Sequence, residues 1–573
     1  MVDYPPLTLP EDPTEARKIF SSLPIKNQLD IVLRAHGKDR LHYLFLSEHP
    51  EQLVQQLPEL EVFLTVKEVG ENDSLDLLSL TTAEQFQYIL DLDLWKRDQL
   101  DPEKVLHWME ILIESGDQKA TQFIHSTDPE QVVLLLKRFL RVLTSEGEPV
   151  EVRDRLPLFT LDQHYFIDFK GKRVREIFQP FLEVFYRVDE KGYRRTMDSL
   201  IVELESDLEE TGYRLRNGRL ADYGFPDFEE ALEIYSFVNP DSLSGGKGTP
   251  QIRDMGGTEK KSPTFYLAFQ NEGPLLSSVL SRIGPRERDR LSQEITSLCN
   301  KAIVAEGLDL SNIAGMERVI RKVYHYLSLG LQYLSQEEEG KAFELVQSLP
   351  MQRLFQCGVS TTILLRRKAE YILKGPWFSG RQENLVLLDT PHFEKFEGIL
   401  RKRPALYRDG VYEDFKSLQD IKETENFLEF VGTVVNFLRK ELDVSPLELG
   451  RMDFIGCHPE TWREMTLSTI FLTSLANRIL KGTFQFEAIE QARLKDFLSR
   501  VFERDAQGKG VIKMEIKNGL RDWLYSNEQE KVKRQHLLAF QDFCLDLFEE
   551  QYGKIPPGEE MDPRFVKGLL VKK

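Results

Sequence analysis

The sequence predicts a mainly α-helical protein: N-terminal solenoid-like helical repeats, a small mixed α/β segment, and a C-terminal helical domain. Three observations carry this reading. Short amphipathic stripes recur behind Asp-Pro and similar capping signals through the first 150 residues. Longer stripes of helical period fill the chain from about Pro285 onward. Between them, Leu158–Phe169 is aromatic and β-branched, followed by Lys170-Gly171-Lys172, as expected of a strand or hairpin.

The repeats come first. Asp12-Pro13 opens a helix with Ala16, Ile19 and Phe20 on one face, and Pro50 opens one with Leu53, Val54 and Leu57. Thr82 and Gln85 have capping-box spacing ahead of Phe86, Ile89 and Leu90. Asp101-Pro102 leads into Val105, Trp108, Met109 and Leu112; Asp128-Pro129 leads into a stripe running from Val132 to Leu143. Proline suits the first helical position because the N–H it lacks would have no partner there. The preceding Asp can accept from the free N–H groups of the first turn. Helices this short are unstable alone, so stacking on neighbours must bury their stripes.

The middle segment, residues 151–270, continues with helical stripes at Ile177–Phe185 and Leu200–Leu208. It ends in a glycine-rich loop, 241–263, without apolar period. The last segment, 271–573, carries stripes at Met316–Leu334, Phe427–Leu438, Leu467–Leu480, Ile489–Phe502 and Leu537–Phe548, with an optional division near 375–391. Residues 554–573 read as a loosely held tail. A chain of 573 residues exceeds one hydrophobic core, in line with several domains.

Net charge is −19. An acidic chain repels phosphate backbones and anionic lipid surfaces, so neither nucleic acid nor a membrane is the expected partner. The uncharged run Met465–Asn477 is well short of the ~20 apolar residues of a membrane span and predicts a buried core helix instead. The N-terminus has neither a basic nor an apolar signal region, and Cys299, Cys357, Cys457 and Cys544 lie far apart. Reduced thiols in the cytoplasm are expected.

Chemical motifs are few. Asp505–Ile516, aligned as a calcium loop, places Lys509 at a ligand position and Ile516 where a bidentate Glu belongs, so a plain turn is expected. Lys247 lies in a phosphate-loop-like sequence without the full spacing. Cys457-His458-Pro459-Glu460 has three metal-capable side chains but no second cluster, and Pro459 reads as a helix start. No catalytic residues, metal ligands or cofactors are assigned. The densest polar constellation spans 203–226 and centres on Arg216, Asn217, Arg219 and Asp222. Arginine grips carboxylate and phosphate through two parallel bonds. The cluster therefore fits either a site for an anionic ligand or an internal salt-bridge network, the commoner fate of such groups.

Leu80–Trp95 with Leu100–Trp108, Arg216–Tyr235, Val304–Asp309 and Leu327–Gly330 resemble a bacterial protein family of unknown function over most of the chain. Residues 1–150 are loosely similar to the superhelical N-terminal domain of MgtE-type magnesium transporters, through their Asp-Pro helix starts and short leucine-rich helices. The membrane helices of that transporter have no counterpart, so the resemblance implies a helical superhelix rather than transport. The expectation is a cytoplasmic, non-enzymatic interaction or scaffold protein with a protein partner. The alternatives are a regulatory module for a small anionic ligand or divalent ion, and an enzyme of an unrecognised class.

Overall fold

The computed structural model describes residues 10, 12–96, 98–144, 158–243, 266, 272–505, 508–528, 530–555 and 566–573. The expected boundaries near 150 and 270, Lys247, and most of the glycine-rich loop lie outside them. The protein is mostly helical, with a few small sheets. Contacts divide it into two compact units, one of residues 1–236, 246–327 and 339–355, the other of 237–245, 328–338 and 356–573.

The first unit begins with α1 (Pro13–Ser21), α2 (Ile25–Arg34), α3 (Gly37–Leu46), α4 (Pro50–Val54), α5 (Glu59–Val69), α6 (Leu75–Leu80) and α7 (Ala83–Asp93). A short hairpin, β1 (Trp95–Lys96) and β2 (Gln99–Leu100), leads to α8 (Pro102–Glu114), α9 (Asp117–Ser126) and α10 (Pro129–Lys137). The helix starts follow local chemistry. The side chain of Asp12 accepts from Thr14 N–H, that of Asp101 from the N–H groups of Glu103 and Lys104, and Thr82 and Gln85 form a complete capping box. Alternate helices then stack: α1 on α3, α3 on α5, α5 on α7 and α7 on α9, with α2 on α4 and α4 on α6. One such joint, α3 to α5, is a fully buried ion pair, Arg40 Nη2 to Glu61 at 2.7 Å; Arg40 also donates to the carbonyls of Val32 and Glu61.

Sequence and structure part company after α10. The stripe predicted helix to Leu143, but α10 stops at Lys137 and Leu140–Thr144 is strand β3. It pairs antiparallel with β4 (Tyr165–Phe169), from Leu140 opposite Phe169 to Thr144 opposite Tyr165. Leu140 and Val142 alternate inward at a period of two, while Leu140 and Leu143 also fit the helical spacing of the preceding stripe. The expected strand within 158–169 is β4, joined by a bridge from Phe159 to Ile167. Helices α11 (Lys172–Val188), α12 (Glu190–Val202), α13 (Glu205–Asp222) and α14 (Phe228–Leu232) follow. The core is knit by edge-to-face rings, Phe86 with Trp108 and Phe123, and Phe123 with Phe181, centroids 6.2–6.3 Å apart. Helices Pro285–Ala305 against α14, and Pro274–Ser281 against Glu339–Ser348, also belong to the unit.

The second unit gathers helices Leu418–Leu442, Leu467–Lys481 and Met514–Asn527 against Lys531–Tyr552. Leu467–Asn477 is buried throughout, as its uncharged sequence predicts. Among the described residues no helix is long and apolar enough to cross a membrane. Two expectations need correction. Cys457–His458 form a short strand rather than the cap of a helix begun at Pro459. Of the expected tail 554–573, residues 556–565 lie outside the described residues and the end is not loose: Val571–Lys572 is the middle strand of a three-stranded sheet, between Cys457–His458 and Ile489–Glu490, with Leu569, Leu570 and Val571 buried. Phe502–Arg504 and Gly510–Ile512 pair as an antiparallel hairpin, and beyond them Asp505 N–H donates to the carbonyl of Lys509; residues 506 and 507 of the expected turn lie outside the described residues. All four cysteines are buried free thiols.

Candidate functional site

Among the described residues, an extended network of ionisable groups surrounds the C-terminal end of α7. Asp91 and Asp93 stand two residues apart there, about 200° around the helix, so they face opposite sides. The C-terminal end of a helix is already negative, and two carboxylates beside it require cations. Four cations supply the balance: Arg216 and Arg219 on one side, Lys67 and Lys104 on the other.

On the first side, Arg219 holds Asp91 through two parallel bonds, Nε and Nη2 each 2.8 Å from a carboxylate oxygen. Its Nη1 reaches Asp128 at 2.7 Å, and Nη2 also donates to Gln131 at 3.1 Å. Asp128 was expected to cap α10; its side chain makes no capping bond, and this ion pair is what it makes instead. Arg216 is buried, donates to the backbone carbonyl of Asp91 at 2.6 Å and lies 5.8 Å over the Trp95 ring. Burial pushes the Asp91 carboxyl up, against the pull of Arg219. Burial likewise pushes the Arg216 guanidinium down, against the attraction of Asp91.

On the second side, Asp93 accepts from Lys67 at 2.6 Å, Trp108 Nε1 at 2.8 Å and Lys104 at 3.1 Å. Burial acts to raise its carboxyl, but Lys67, Trp108 and Lys104 together outweigh burial and hold it low. Lys67 also pairs with Glu71, whose other oxygen lies 2.5 Å from His107 Nε2. Burial acts to lower the Lys67 ammonium; Asp93 and Glu71 outweigh it and raise it. Lys104 extends the network to Ser311 at 3.2 Å.

Of the four residues singled out by sequence, Arg216 and Arg219 converge on Asp91, and Asn217 accepts from Arg216 at 3.2 Å. Asp222 is exposed at the last position of α13. Sequence reasoning missed Lys67, Glu71, Asp93, Lys104 and His107. The available signal was a pair of acids at a helix end, which calls for cations from other helices without saying which.

A second unusual cation is Lys119 of α9. It is buried and donates to the carbonyl and hydroxyl of Thr81, both at 2.7 Å, and to Gln122 at 2.8 Å. Burial pushes its ammonium down to about 7. These bonds place it at the C-terminal end of α6, where a cation offsets the helix dipole. Among the described residues, no group of three or more His, Cys, Asp or Glu side chains is placed to hold a metal ion.

The fold and this site define a mainly helical protein whose helices are bound to one another by internal ion-pair networks. The chain belongs to the family of unknown function DUF6178, whose model matches residues 17–572. No curated protein and no solved structure matches it, and the likeness to the transporter domain gains no support.

Proposed function

We propose that the protein is a non-enzymatic interaction or scaffold protein of the bacterial cytoplasm. The observation that carries the reading is the alternate stacking of α1, α3, α5, α7 and α9. Helices stacked this way present a long continuous face to a partner, the use to which helical solenoids are put. The saturated charges around Asp91 and Asp93 support the same reading, because they stiffen the stack from within. A ligand role for Arg216, Asn217, Arg219 and Asp222 would require an anion to displace Asp128, the more exposed of the two carboxylates on Arg219.

Two measurements on the full chain test this. In-cell crosslinking should recover one protein partner in near-equimolar amount. A thermal-unfolding screen against divalent metals, nucleotides and common metabolites should be flat. A ligand in hundredfold excess over Kd would stabilise the native state by about 2.7 kcal/mol. A selective shift of that size without a recovered partner would overturn the scaffold reading in favour of a ligand-binding module.

A further inference from the structure

We propose that the corner between α12 and α13 is the docking surface for a basic amphipathic segment of a partner protein. The inference rests on the interaction reading above and names the chemistry of the partner.

The corner exposes apolar side chains where the chain gains nothing internal from them. Val202, the last residue of α12, is 78% exposed, Leu204 65% and Ile201 42%. Leu204 occupies the cap position of α13 without a side-chain capping bond, a place usually taken by Ser, Thr, Asp or Asn. Contiguous exposed apolar groups with a polar rim mark interaction sites.

The rim decides the occupant. Glu203, Glu205, Asp207, Glu209 and Glu210 follow one another around the corner. Of the cations beside them, Arg138 pairs with Glu205 at 3.5 Å and Lys137 donates to the carbonyl of Leu200 at 2.5 Å, and exposed Arg214 stands one turn beyond Glu210, so the five acids still outnumber them. The negative end of α12 and the positive end of α13 meet at the corner and offset each other, which leaves the side chains to set the field. Acidic crowding is felt within the cluster: burial raises the Glu209 carboxyl, and Glu205 and Asp98 raise it further against Arg138. An apolar strip inside a negative rim complements a helix with leucine-like side chains on one face and Lys or Arg beside them. A second copy of this chain, at net charge −19, is disfavoured by the same field.

The test is a selection of a phage-displayed library of random 16-residue peptides against the full chain, counter-selected against the double variant Val202→Asp/Leu204→Asp. Both positions are exposed, so the variant should melt with the wild type. Enriched peptides should carry an excess of Lys and Arg at helical spacing with apolar residues. They should bind the double variant at least tenfold more weakly and Glu205→Lys/Glu209→Lys several-fold more weakly. Peptides without basic excess, peptides indifferent to the double variant, or no enrichment would overturn the proposal. So would concentration-dependent self-association that the double variant abolishes. If the crosslinked partner is still recovered with the double variant, this corner falls while the scaffold reading stands; if no partner is recovered with either chain, the scaffold reading itself falls.

Discussion

The end of α7 in the first unit and the start of helix His392–Leu400 in the second solve the same problem in opposite ways. Each fastens one helix end to several others. Asp91 and Asp93 do it with charge, reaching α13 on one side and α5 and α8 on the other. His392 does it with rings, 4.8 Å from Phe543, 5.1 Å from Phe430 and 5.9 Å from Phe427, which brings in Lys531–Tyr552 and Leu418–Leu442. A charged joint fails when one partner is removed, because the other is left buried and unpaired. An aromatic joint tolerates the loss of a contact more gradually but fails when its titratable member takes up a proton.

The largest effect should come from breaking the charged joint. Arg219→Ala strips Asp91 of both side-chain bonds from that guanidinium and should cost about 3 kcal/mol in denaturant unfolding. Replacing the pair together, Asp91→Leu with Arg219→Leu, should recover part of that loss, because the buried Asp91 carboxylate is then no longer left without its guanidinium; buried Arg216, which loses the attraction of Asp91, keeps the recovery partial. A double variant as unstable as the single would mean that shape, not charge, makes the joint.

The aromatic joint should break with acid. Burial pushes the His392 imidazolium down to about 4, with Lys395 adding to the shift; the ordinary value is 6.5. Between those values the unfolded chain binds a proton that the folded chain refuses. Stability is therefore complete above about pH 6.5 and falls as pH drops toward 4, by about 3 kcal/mol in all. Burial shifts His536 in the same direction, against Glu429. His392→Phe should flatten most of the slope; an unchanged slope would assign the acid sensitivity elsewhere.

The smallest effect tests the other end of α7. Thr82→Ala removes one half of its capping box and should cost about 1 kcal/mol. A cost equal to that of Arg219→Ala would mean that local capping matters to α7 as much as its tertiary ion pairs do.

This ranking runs opposite to what could be read beforehand. The helix starts at Pro13, Thr82 and Pro102 were legible because each cap acts within a few residues. Arg216 and Arg219 were legible by local density, but their partner Asp91 lies more than a hundred residues away. Lys67, Asp93 and His107 gave no local sign, since they meet only when α5, α7 and α8 pack. Strand β3 was hidden because Leu140 and Leu143 fit the helical period of the preceding stripe. Residues 566–573 were hidden because their strand partners, near 457 and 489, are remote in sequence.

The placement of two carboxylates on opposite sides of one helix also fixes that helix in phase. Inserting or deleting a single residue within α7 turns everything beyond it by about 100°. Asp91 and Asp93 would then swing away from α13 and from α5 and α8 in one step. The helix can accept many substitutions along its length but not a change in length, so variation in residue count should be absorbed by the connecting turns instead.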